Sequence, residues 1–89
     1  MPHNFFDILV HHDLPCIDLH EYEDVSDAIF FLERELYRLY KKDEQYVRVI
    51  HGIGTGFLKK TVEDILRQHV LVKDFKPSSD DGSTIVLLT

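Results

Sequence analysis

The stretch Val49-Ile50-His51-Gly52-Ile53-Gly54-Thr55-Gly56-Phe57-Leu58-Lys59 decides the fold. Its first residues complete the run Tyr46-Val47-Arg48-Val49-Ile50, whose β-branched and aromatic side chains favour a strand. Three glycines at alternate positions then make a flexible turn. From Phe57 to about His69 the apolar residues Leu58, Val62, Ile65 and Leu66 recur at helical spacing. A strand that leaves through a short loop into a helix is the opening of a β-α-β unit, whose two strands run parallel with a right-handed crossover.

Working upstream, Asp24 is a good N-cap for a helix over Val25 to Lys42, with Val25, Ala28, Ile29, Leu32, Leu36 and Leu39 as its core stripe. Before it, Pro15 stands where a strand tolerates proline, and Cys16-Ile17-Asp18-Leu19-His20 alternates with period two, which predicts a first strand. Residues 1–14 read as a packed N-terminal extension to a domain over 15–89. Downstream, Val70 to Phe75 reads as a short strand stopped by Lys76-Pro77. A turn at 78–82 then leads to Thr84-Ile85-Val86-Leu87-Leu88, apolar on both faces as a central strand requires. The order β-α-β-α-β-β predicts one α/β domain, an α+β two-layer sandwich with both helices on one face of a four-stranded sheet and the other face partly open.

Composition bounds the function. At 89 residues the chain holds one core, and no run approaches the roughly 20 apolar residues of a membrane helix. The start, Met1-Pro2-His3-Asn4, lacks a secretory pattern, so a cytoplasmic protein with no membrane partner is expected. The lone Cys16 forms neither an internal disulfide nor a thiolate zinc site and is expected to be a small buried thiol. The net charge of −6 is unevenly spread: residues 1–45 carry eleven acids against four bases, residues 46–89 five acids against six bases. A phosphate-facing surface is therefore expected from the second half, with Arg48, Lys59, Lys60, Arg67, Lys73 and Lys76 as candidates.

Sites in parallel α/β units gather at the carboxyl ends of strands. The first strand ends in Asp18-Leu19-His20 and period two places Asp18 and His20 on one face; the second ends in His51. If the two strands are neighbours, Asp18, His20 and His51 meet at one rim. Asp18 then orients His20 as a general acid or base, or else caps a turn beside a histidine held by a backbone carbonyl. His51 either handles a proton or merely ends its strand. Gly52, Gly54, Thr55 and Gly56 lead to a helix N-terminus, where bare amides can hold a phosphate, and Lys59 follows in the first turn. The alternating glycines match neither the Walker nor the dinucleotide pattern.

Taken together, Ile17-Asp18-Leu19-His20, the His51–Lys59 segment and the ending Gly82-Ser83-Thr84-Ile85-Val86-Leu87-Leu88 closely resemble the signature segments of the Smr (small MutS-related) domain family over about residues 15–89. The resemblance implies a fold similar to the C-terminal domain of translation initiation factor three, with a mixed sheet whose last strand lies inside and antiparallel. It also implies binding and nicking of DNA or RNA, in repair or recombination among other settings, with Asp18, His20, His51, Gly52 and Gly54 at the motif positions. It fixes no cofactor; Mg²⁺ or Mn²⁺ are the metals it leaves open, and no metal ligands are assigned. Three positions depart from the family's usual residues: Glu21 replaces a glycine, Ile53 a lysine or arginine, and Asp81 a second glycine.

Two further features have plainer readings. His11-His12-Asp13 suggests a metal, yet adjacent histidines diverge in either helix or strand, and a polar turn is expected. Phe30, Phe31, Tyr37 and Tyr40 fit core and half-core packing, with an aromatic flank left over for a partner. The expected function is thus an Smr-type endonuclease. The alternatives are a non-catalytic nucleic-acid-binding module, or a protein-interaction module that docks through the acidic N-terminal half and the first helix.

Overall fold

The computed structural model describes residues 14–54, 56–79 and 82–89. The expectations for the 1–14 extension other than Leu14, for His11-His12-Asp13, for Thr55 and for Asp81 lie outside the described residues. The elements run β1 (Cys16–Asp18), α1 (Val25–Lys41), β2 (Tyr46–Ile50), α2 (Phe57–Gln68), β3 (Val72–Pro77) and β4 (Ser83–Leu88).

The sheet order is β1-β2-β4-β3. β1 pairs parallel with β2, whereas β4 is antiparallel to both its neighbours. The chain's last strand therefore fills the gap between the strands of the second crossover. Every residue of β4 is buried, as its two-faced apolar sequence requires.

α1 starts where Asp24 accepts the Ser26 amide at 2.8 Å, so the expected cap is the observed one. It ends one residue earlier than its lysines suggest, because Asp43 turns left-handed at φ 63° and its amide folds back onto the Tyr40 carbonyl. Ala28, Leu32, Leu36 and Leu39 of α1 and Val62 and Leu66 of α2 pack on Ile17, Leu19, Val47, Val49, Val86 and Leu88 of the sheet side. Both helices thus cover one face. Among the described residues, no helix is long and apolar enough to cross a membrane.

Three sequence expectations need correction. Phe30 and Tyr37, expected in core or half-core packing, are 71% and 56% exposed, because the buried stripe of α1 runs through Ala28, Leu32, Leu36 and Leu39. β3 begins at Val72 and runs through Lys76 and Pro77, which pair with Ile85 and Thr84. Proline is admitted because β3 is an edge strand, so its missing amide leaves no ladder bond unmade on the outer side. Cys16 is exposed rather than buried. The pleat explains it: Ile17 and Leu19 face the helices, so Cys16 and Asp18 face away.

Candidate nucleic-acid site

The register of β1 on β2 sets the site. Ile17 lies opposite Val49 and Asp18 opposite Ile50, and the Leu19 amide still donates to the Ile50 carbonyl at 2.7 Å beyond the last paired residue. Continuing by one, Leu19 lies beside His51 and His20 beside Gly52. The two motifs do meet at one rim. The pleat nevertheless puts them on opposite faces, with Asp18 and His20 on the open face and Leu19 and His51 toward the helices.

On the open face, Asp18 Oδ1 accepts a hydrogen bond from His20 Nδ1 and also accepts the His20 amide at 3.1 Å. One carboxylate oxygen therefore fixes both the ring and its backbone. Because a carboxylate oxygen accepts, Nδ1 carries the proton and Nε2 is left for chemistry. The hydrogen bond to Asp18, its charge and the nearby Glu21 raise the His20 pKa above the usual 6.5. Slight burial works against ionisation of Asp18, but the hydrogen bonds and charge of His20 prevail and hold its carboxyl below 3.8. Both side chains are about half exposed, open to a substrate in solution.

On the helix side, His51 is only 5% exposed. Its Nδ1 donates to the Gly52 carbonyl at 2.9 Å, and its Nε2 lies 3.0 Å from the Thr84 hydroxyl. Since the carbonyl can only accept, Nδ1 bears the hydrogen, and with the ring neutral the threonine hydroxyl donates to Nε2. Both nitrogens are thus engaged inside the protein. The backbone amides of His51 and Gly52 share the Gly82 carbonyl, at 3.0 and 2.9 Å. The Gly52 amide therefore faces the protein rather than an anion.

Gly52 has φ +79°, and a Cβ there would stand 3.3 Å from His20 Cβ. Its lack of a side chain lets the second motif close against the first. Gly54 and Gly56 also have positive φ, but open space surrounds the place a Cβ would take. Gly56 starts α2 in the left-handed region and, as a glycine, makes no side-chain cap bond. A cavity of about 220 Å³ lies between this turn and the start of α1, lined among others by Glu23, His51, Gly54, Gly56 and Lys59. Glu23 on its wall opposes an anion, which the position of Lys59 alone does not reveal.

A larger groove of about 670 Å³ opens on the other face, bounded by His20, Arg48, Ile50, Gly52, Ile53, Gly82 and Ser83. Arg48 is one of six bases proposed from charge alone; the structure singles it out by placing it in the groove with His20. Ser83 and Thr84 escape sequence reasoning because they read only as strand residues, and the antiparallel pairing of β4 with β2 carries them to the site. The ligand atoms of Asp18, His20 and Glu21 lie within 4.8 Å of one another, the one such metal-competent group among the described residues. Two carboxylates and an imidazole suit a hard or borderline divalent cation, though all three are exposed.

The sequence model of the Smr domain family matches residues 17–89. Among curated relatives, the endonuclease MutS2 of Clostridium botulinum (strain Eklund 17B) is 35% identical over 69 residues, covering 73% of this chain and 9% of that protein. The endonuclease MutS2 of Thermomicrobium roseum is 40% identical over 68 residues, covering 72% of this chain and again 9% of its own length. The chain thus spans about a tenth of the curated relatives it matches. The crystal structure of the Smr domain of Thermus thermophilus MutS2 superposes with a TM-score of 0.80 at 25% identity, over 85% of this chain and 99% of that one.

Proposed function

Because this chain belongs to the Smr domain family, we propose that it binds nucleic acid on the open face of its sheet and cleaves a phosphodiester there with His20 as the proton-handling group. The observation that carries the proposal is the Asp18–His20 pair: a half-exposed imidazole, oriented through Nδ1 and with Nε2 unbonded among the described residues, lining a groove of about 670 Å³. Neutral His20 takes a proton from the attacking hydroxyl as the new O–P bond forms. Protonated His20, or water, returns a proton to the departing oxygen. Asp18 supports the charge that the imidazole gains.

His51 holds the second motif in place rather than moving protons, since both its nitrogens are committed within the domain. The first turn of α2, with Gly54, Gly56 and Lys59 nearby, remains the proposed anchor for backbone phosphate. The proposed part of Gly52 is to admit His20 rather than to donate its amide. A divalent cation held by the carboxylates of Asp18 and Glu21, leaving His20 Nε2 to the proton, would supply charge neutralisation at the phosphate when bound.

The experiment is cleavage of labelled single-stranded RNA, duplex DNA and branched DNA on denaturing gels, comparing the wild type with His20→Ala and Asp18→Ala. Loss of product of roughly 10²–10⁴-fold in folded variants is expected. Undiminished cleavage in both would place the chemistry elsewhere. Salt-sensitive binding with no product from the wild type would identify a binding module instead.

A further inference from the structure

The arginines of this acidic chain are treated differently by the fold. Arg38 is gripped by Glu35 through both Nε and a terminal nitrogen, and Arg67 by Asp64 at 3.0 Å. Arg48 has no carboxylate partner among the described residues, although the chain carries sixteen acids. One terminal N–H donates to Ser83 Oγ at 3.1 Å. Ser83 is only 1% exposed, and its hydroxyl lies 2.8 Å from the Ser78 hydroxyl, so the anchor is itself held. A guanidinium has five N–H donors in a fixed fork. Four remain after the bond to Ser83.

The location gives those donors a use. Arg48 and His20 line the same groove, together with the apolar Ile50 and the 71%-exposed Ile53. Arg48 is the register partner of Cys16, four residues before His20, so its Cα is displaced roughly 13 Å along the strand and one strand spacing across from His20, a gap the long arginine side chain partly spans. A phosphate on Arg48 is therefore a neighbour of a phosphate at His20, not the same one. An arginine with no carboxylate partner among the described residues, kept in a groove by a buried neutral hydroxyl, is suited to a bidentate anion.

We propose that Arg48, positioned by Ser83, is a second phosphate seat that holds the nucleic-acid backbone next to the phosphate cleaved at His20. This rests on the reading of the open face as the substrate face, and it adds a residue that sets where the strand lies. Ser83 acts through Arg48 and touches no substrate.

The test uses the 89-residue chain and a fluorescein-labelled single-stranded oligodeoxynucleotide of about a dozen nucleotides, within the usual span of a single-strand site. Affinity is measured against salt concentration for the wild type, Arg48→Gln, Arg48→Lys, Ser83→Ala and Ser83→Thr. Arg48→Gln is expected to bind about tenfold more weakly and to lower the salt slope by roughly 0.7, the contribution of one phosphate on a single strand. Arg48→Lys keeps the slope as a point charge but loses part of the affinity. Ser83→Ala weakens binding with the slope retained, and Ser83→Thr restores it.

Replacing single linkages in the probe with neutral methylphosphonates locates the contact: one sensitive linkage of the wild type becomes insensitive in Arg48→Gln, while the other persists. Wild-type binding with a slope unchanged in Arg48→Gln overturns this assignment and leaves the nuclease reading standing. No binding by the wild type at low salt overturns both. Circular dichroism confirms that each variant is folded.

Discussion

Replacing His51 with phenylalanine separates a proton-handling role from a positioning one. The ring volume is roughly kept and the side chain remains buried, but two hydrogen bonds, at 2.9 and 3.0 Å, are lost. Thr84 is fully buried, so its hydroxyl is left without the imidazole acceptor, and the Gly52 carbonyl loses a donor. Each orphaned neutral group costs about 1–3 kcal/mol, and water can reach the loop carbonyl more easily than the threonine, so the sum is about 2–4 kcal/mol. In a domain of this size that lowers Tm by roughly 10–25 °C. The chain has no Trp, so urea and thermal unfolding are followed by far-ultraviolet circular dichroism. Adding Thr84→Val removes the second orphan. The double variant should recover about 1–2 kcal/mol, a coupling expected only of groups in contact. A His51→Phe protein as stable as the wild type within about 0.5 kcal/mol, yet inactive, would refute the positioning role and return His51 to the chemistry.

Other expectations follow from the same geometry. Asp18 raises the pKa of His20, so the rate of cleavage by neutral His20 should climb through an inflection above pH 6.5; Asp18→Asn should move that inflection to lower pH and reduce the plateau, read from pH–rate profiles. The pair's own stabilisation is present below pH 6.5 and fades as pH rises through the His20 value; on the acid side it is lost as Asp18 protonates below 3.8. Gly52→Ala places a methyl group against His20 at positive φ and should cost about 1–3 kcal/mol as well as activity. Gly54→Ala meets only open space and should show the backbone penalty alone, by urea unfolding and cleavage assay. His69 accepts the Leu71 amide on Nδ1 at 3.1 Å and bonds Glu33 of α1 through Nε2. His69→Ala should therefore loosen the end of α2 by about 1–2 kcal/mol without changing cleavage at 25 °C.

Much of this was legible in the sequence because local chemistry and tertiary demand agree. The Asp24 cap, the α1 stripe and the two-faced apolar β4 each admit one reading, and the fold complies at all three. The resemblance also supplies the interior antiparallel placement of β4, which residues 46–89 alone do not determine. What was not legible belongs to the sheet as a whole. Sequence parity within β1 places Asp18 and His20 together, but it says nothing of how β1 registers against β2. That register, Asp18 opposite Ile50, puts His51 on the face away from His20. Cys16 was misjudged because it shares the parity of Asp18 and not of Ile17, and β3 was drawn two residues too early because its edge position, which excuses Pro77, is a property of the whole sheet.

The register also explains why two histidines so close in the fold have such different surroundings. A pleated rim offers one outward and one inward position at each step, and a reactive group needs solvent while a loop anchor needs shelter. His20 takes the outward place, where Asp18 holds it from below and the absence of a side chain at Gly52 gives it room. His51 takes the inward place, where Thr84 and Gly52 absorb both nitrogens and fasten the loop that Gly52 begins. The two motifs therefore touch through Gly52: a change at His51 is expected to reach His20 through Gly52, the residue bonded to one and packed against the other. Activity lost on changing His51 should consequently track the displacement of Gly52, and a substitution that keeps the Gly52 carbonyl bonded should keep His20 in place.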